Sequence, residues 1–105
     1  MPFVLELRSM SNLQVHPTAQ SELEAATNWY AERSIRTAAR FAAEIELAMA
    51  TIQNHPTRFA RIDDVHRLYL LDRFPYYVAY RQKSNLVEVV AVRHTSQDQD
   101  AWKGR

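Results

Sequence analysis

Three runs of apolar and β-branched residues, separated by short polar turns, fill the stretch from Arg67 to His94. The pattern predicts three consecutive antiparallel strands over 67–71, 76–82 and 86–94. Asp72-Arg73-Phe74-Pro75 and Lys83-Ser84-Asn85 carry the turn chemistry between them. The last run, Leu86-Val87-Glu88-Val89-Val90-Ala91-Val92, is apolar at nearly every position, as expected of a strand covered on both faces.

Upstream the period changes. Residues 12–16 alternate polar and apolar and read as a half-buried strand, which Pro17 ends. Pro17 suits the first turn of a helix, with Thr18 as a further candidate cap. Over 17–33, Ala19, Leu23, Ala26 and Tyr30 fall on one stripe, widened by Trp29, while Glu22, Glu24 and Glu32 point elsewhere. Arg33 sits in the last turn, where the helix dipole favours a cation. Ser34 is a good N-cap for a second helix over 35–54, whose apolar face runs Ala38, Phe41, Ala42, Ile45, Ala48, Met49, Ile52. So short a connection folds the helices into an antiparallel hairpin. Pro56 stops the second one, and 55–66 reads as a loop pinned by Phe59 and Ile62, with Arg58 and Arg61 facing outward. The expected fold is α+β, in the order β-α-α-β-β-β, with the helical hairpin packed on an antiparallel sheet. The domain spans 12–105. Residues 1–11 form an N-terminal extension, either disordered and produced by an early start codon or docked through Phe3-Val4-Leu5 as a short extra strand.

Composition narrows the setting. A chain of 105 residues with 47% hydrophobic content supports one modest core. Cysteine is absent, which fits a reducing cytoplasm. No apolar run approaches the roughly 18–20 residues of a membrane span, and the N-terminus lacks a signal-peptide pattern, so no membrane partner is expected. Net charge is +1, which gives no global case for nucleic-acid binding. The balance is uneven, however. Residues 1–54 carry four Lys/Arg against six Asp/Glu, and residues 55–105 carry nine against six. Acid gathers on the helices and base on the sheet, as a solvated surface or a sheet face that meets an anion would both have it.

Conventional catalytic patterns are missing. His16, His55, His66 and His94 are scattered, and only Asp63, Asp64 and His66 form a compact acid–imidazole group, so no metal site is expected. Gly104 is the single glycine, which excludes a glycine-rich phosphate loop, and nothing calls for a cofactor. No nucleophile sits on a recognisable strained turn. Tyr69, Tyr76, Tyr77 and Tyr80 crowd two adjacent strands with Arg67, Arg73 and Arg81 interleaved. Tyrosine packs well in strands, and the same grouping could stack bases and hold phosphates.

Taken together, SELEAATNWYAERS, AARFAAEIELAMATIQNHPTRF, RLYLLDRFPYYVAYR, VEVVAVRH and a trailing tryptophan resemble the RelE/ParE superfamily of bacterial type II toxins. The resemblance spans 12–102 and implies the same β-α-α-β-β-β order. It also implies the toxin of a toxin–antitoxin pair of the plasmid-stabilisation type, neutralised in a hetro-oligomer by a cognate antitoxin encoded beside it. RelE-like members cut mRNA on the ribosome, and ParE-like members poison DNA gyrase.

The RelE-like pattern places an arginine near Tyr77, and an arginine and a tyrosine in the region 95–101. Here that region reads TSQDQDA, without arginine, lysine or tyrosine. The resemblance is therefore closer to ParE, and implies gyrase as target with no chemical step. Arg93, His94 and Trp102 are the candidate target- or partner-binding residues, with no catalytic residue. The alternative is a ribosome-dependent nuclease using Arg67, Tyr77, Arg81 and His94. Residues 95–101 are acidic where ParE-like sequences often continue basic, which leaves a third reading, an inactive homologue that only binds its antitoxin.

Overall fold

The computed structural model describes residues 9–10 and 12–105. Its elements are β1 (Ser9–Met10), β2 (Leu13–Val15), α1 (Pro17–Arg33), α2 (Ile35–Asn54), β3 (His66–Leu70), β4 (Tyr76–Lys83) and β5 (Leu86–His94). They match the expected order to within a residue or two, with Ser9–Met10 added ahead of β2 and paired antiparallel with it. The expectations for residues 1–8, including the Phe3-Val4-Leu5 strand, lie outside the described residues.

The sheet runs β1-β2-β5-β4-β3. The β3-β4-β5 meander is antiparallel as expected, but β2 lies parallel to β5, so the sheet is mixed. The cause is the direction of α1. His16 ends β2 with its amide on the Val89 carbonyl, and α1 carries on the same way, its Glu22 reaching Val92 further along β5. Then α2 returns, β3 starts at the end where β2 began, and the third strand of the meander emerges in β2's own direction. Thus α1 faces the upper half of β5 across the space beyond the end of β2.

Local chemistry sets the helix ends. Pro17 takes the first helical position, and His16 caps it through Nδ1, which accepts from the Thr18 amide at 3.1 Å. Ser34, extended at φ −161°, ends α1 and caps α2 by accepting from the Thr37 amide at 3.2 Å. The turn from β4 to β5 puts Ser84 in the left-handed region at φ 54°.

The main core lies between the helices and one sheet face. Leu23, Phe41, Ile45, Met49, Val78, Tyr80, Val89 and Val92 are buried there. Tyr30, Phe41, Phe74 and Tyr76 meet edge-on or tilted, with centroids 5.1–6.2 Å apart. The opposite face carries a smaller cluster of Tyr77, Ala79, Val90, Ala91 and Trp102. A bulge between Ala79 and Tyr80 shifts the β4–β5 register and leaves Val90 as the extra residue. Two expected core anchors face outward: Trp29 is 49% exposed and Ile62 37%. Trp29 lies one residue off the buried stripe of α1, and Arg33 stacks over it at 3.6 Å. Ile62 belongs to the loop that edges β3, where its amide, not its side chain, makes the tie, donating to the His66 carbonyl. Among the described residues, no helix is long and apolar enough to cross a membrane.

Candidate functional site

On α1, Glu22, Ala25 and Trp29 recur at helical spacing and form a second stripe beside the buried one, with Ala26 of the buried stripe next to them. They face the end of β5 and the start of β4 across a groove of about 610 Å³, whose other wall is Tyr76, Val92, Arg93, His94 and Gln97. The alanines keep the groove open; Trp29 and Tyr30 make it apolar. A second depression of similar size, about 620 Å³, lies on the outer side of α2 around Arg40, Leu47 and Phe74, and of the arginines singled out from the sequence it takes in Arg73.

Glu22 closes one end of the first groove. Its carboxylate accepts from the Val92 amide at 3.1 Å, from Arg93 Nη1 at 3.0 Å, and from Arg105 Nη1 and Nη2 at 2.8 and 2.9 Å. Burial pushes this carboxyl up, but Arg105, Arg93 and the Val92 amide together outweigh burial and hold it below the usual carboxylate range.

The segment after β5 crosses the second sheet face and returns to Glu22. Trp102 is the plug: it is 0% exposed, and its indole N–H donates to the Tyr77 hydroxyl at 2.9 Å. His66 meets its ring edge-on at 5.0 Å. His66 is oriented by Asp63, whose carboxylate lies 3.0–3.1 Å from Nδ1 and also accepts the Val65 and His66 amides. The hydrogen bond from His66 and those amides hold the Asp63 carboxyl down at about 2.

The residues singled out from the sequence fall into two groups. Arg93 and His94 line the groove together. His94 faces Tyr76 edge-on at 5.2 Å, and its Nδ1 accepts from the Ser96 amide at 3.0 Å. Trp102 belongs to the core of the second face and presents no ring surface to a partner in this conformation. The four residues of the nuclease alternative do not converge. Arg67 donates to the Thr57 and Phe59 carbonyls, Tyr77 is buried against Trp102, and Arg81 pairs with Glu88 at 2.7 Å. In the ladder His94 lies opposite Tyr76 and Arg81 opposite Glu88, five residues along β4, about 16 Å at strand spacing. The strand tyrosines also serve packing: Tyr80 donates to the Pro56 carbonyl at 2.7 Å, and Tyr69 meets Phe59 edge-on at 4.9 Å. Among the described residues, no three His, Asp or Glu side chains come together as a metal site.

Glu22 and Arg105 were not singled out from the sequence. Spacing could have found Glu22, since it heads the stripe that runs through Ala25 to Trp29. Nothing local marks Arg105, whose role depends on the return of the chain after Trp102.

A family model, the ParE toxin of the type II toxin–antitoxin system parDE, matches residues 13–99. The chain belongs to the ParE toxin family. This ParE-type chain also resembles the solved structure of the chromosomal ParDE TA system from P. aeruginosa, with a TM-score of 0.68 at 18% identity. That likeness covers 79% of this chain and 94% of the other, and it concerns the fold. No curated protein matches the sequence. The match from 13 to 99 takes in β2 through β5 and both groove walls, but stops short of Trp102 and Arg105.

Proposed function

We propose that this ParE-family toxin acts by binding, with DNA gyrase as its target in the cytoplasm and a cognate antitoxin seated in the α1–β5 groove as its silencer. The observation that carries this reading is the groove itself. It is an open apolar trough with an exposed tryptophan at its rim, and its cations are held by fixed partners rather than aimed at a common point. General acid–base work needs groups within hydrogen-bond reach of one reacting atom. Recognition needs an aromatic anchor, an apolar floor and a few charges, which is what α1 and β5 supply. Arg93 and His94 are its polar contacts to target or antitoxin.

The test is induced expression without antitoxin in cells carrying a DNA-damage reporter, followed by a supercoiling assay with purified gyrase. Growth arrest with reporter induction and inhibited supercoiling is the expected result. Arrest with a silent reporter and cut transcripts would replace this reading with ribosome-dependent mRNA cleavage. Unimpaired growth would leave a chain that only binds its antitoxin.

A further inference from the structure

Beside β5 the sheet is unfinished. β2 pairs with it from Leu13↔Val87 to Val15↔Val89 and then ends, so among the described residues no strand flanks Val90–His94 on that side. An unpaired stretch of this kind offers backbone donors and acceptors to any extended chain that reaches it. Here three of those groups are already taken by side chains, the His94 amide by Gln97 Oε1 at 2.9 Å and the other two by a linked pair. The Val92 amide donates to Glu22 Oε1 at 3.1 Å, and the Val90 carbonyl accepts from Arg105 Nη1 at 3.0 Å. The two side chains are also joined to each other through Nη1 and Nη2 of Arg105. A linked acceptor and donor thus occupy the positions that the C=O and N–H of an added strand would use.

The geometry points to a removable stopper on a strand-addition edge: an extended, acidic segment of the partner protein pairs with β5 at Val90–Val92 and displaces Arg105 from the edge. This rests on the antitoxin reading for the identity of the partner and goes beyond it in stating how the partner is held and what it must displace. The edge dictates an extended segment, because a helix has no free backbone groups to offer. Ala25 and Ala26 leave room for its backbone, and Trp29 and Tyr30 receive an apolar side chain. Charge favours acid: Arg93 and Arg105 share the Glu22 carboxylate, and Arg33 lies over Trp29 at the rim. Trp102 stays buried during the exchange, since its anchorage on Tyr77 and His66 does not involve the edge.

A competitor that must be moved aside lowers apparent affinity in proportion to the fraction of molecules in which the edge is free. Arg105→Ala should therefore bind the partner roughly three- to tenfold more tightly than the unaltered chain. Glu22→Gln keeps an acceptor for the Val92 amide but drops the ion pair, and should shift affinity the same way. The measurement is calorimetric titration of the full-length chain and both variants with the purified product of the adjoining reading frame. Thermal melts verify that each is folded, and Glu22→Gln carries the test if Arg105→Ala is not. An amide spectrum should show the Val92 resonance moving on binding while the Trp102 indole stays. A complex whose affinity is unchanged or weakened by both variants overturns the stopper and leaves the antitoxin reading standing. No complex with any of the three forms overturns both.

Discussion

Replacing Trp102 with alanine tests whether the segment after β5 belongs to the fold. The ring is fully buried on the second sheet face, against Tyr77 and His66. A buried tryptophan removes about 150–250 Å² from water. At about 25 cal/mol per Å² that is roughly 4–6 kcal/mol, an upper bound because the unfolded chain already hides part of its surface. Measured truncations of buried aromatics to alanine fall at about 3–5 kcal/mol, so a loss of about 4 kcal/mol is expected. Trp102→Phe keeps most of the contact and gives up the N–H bond to Tyr77, which should cost about 1–2 kcal/mol.

Urea unfolding followed by circular dichroism measures both. With a slope of about 1–1.5 kcal/mol per molar urea, the alanine variant should lose roughly 3 M in midpoint. Since a domain of this size is held by only about 5–15 kcal/mol, it would sit near the limit of folding. The phenylalanine variant should remain folded and fall between. Fluorescence in a Trp29→Phe background, where Trp102 is the remaining tryptophan, should show blue-shifted emission that moves red on unfolding. A loss under about 1.5 kcal/mol for Trp102→Ala, against the expected 3–5, would refute the plug and, with it, the placement of Arg105 on the β5 edge.

Trp29→Ala should separate recognition from folding: stability changes by less than about 1 kcal/mol by urea titration, while antitoxin affinity falls by about 2 kcal/mol or more by calorimetry. The Asp63 carboxyl, held at about 2 in the fold against an ordinary 3.8, contributes stability that is complete above its unfolded value and is lost as pH falls through about 2. Urea midpoints between about pH 5 and pH 2 should therefore drop less steeply in Asp63→Asn than in the unaltered chain. Ser84, at φ 54°, occupies a backbone region that asparagine and glycine tolerate better. Ser84→Asn should raise the thermal midpoint, by about 0.5 kcal/mol in stability, and a fall would mean that the turn is held by something other than its backbone.

The elements were legible because each carries its own punctuation. Pro17, Ser34 and Pro56 mark helix ends chemically, and the seven apolar positions of α2 expected to face inward are the ones buried. What could not be read was direction and return. The parallel pairing of β2 with β5 follows from α1 continuing past β2 instead of doubling back, a three-dimensional choice that no local period encodes. The site was half legible for the same reason. Arg93 and His94 are marked by their place at the end of an apolar strand, whereas Glu22 reads as one more surface acid until β5 is beside it. Trp102, expected among the target or partner contacts, is packed on the second sheet face, which the helices do not cover.

A sheet that must stay unpaired with its own copies, yet accept a strand from one partner, needs edges closed by different means. The outer edge of β3 is closed by backbone: Leu68 donates to the Ala60 carbonyl, Ile62 donates to the His66 carbonyl, and an isolated bridge joins Arg61 and Arg67. Opening that edge would mean peeling away a loop whose Phe59 packs on Tyr69. Among the described residues, the far edge is the two-residue β1, a very short template for a neighbour. Only the upper half of β5 is closed by side chains, and a guanidinium can swing out of a hydrogen bond without any backbone being undone. Among the described edges, that is the one a partner can open at a cost its own hydrogen bonds offset, and it is also the one that borders an apolar groove with an exposed tryptophan. The movable cap therefore coincides with the groove in which the antitoxin is proposed to sit.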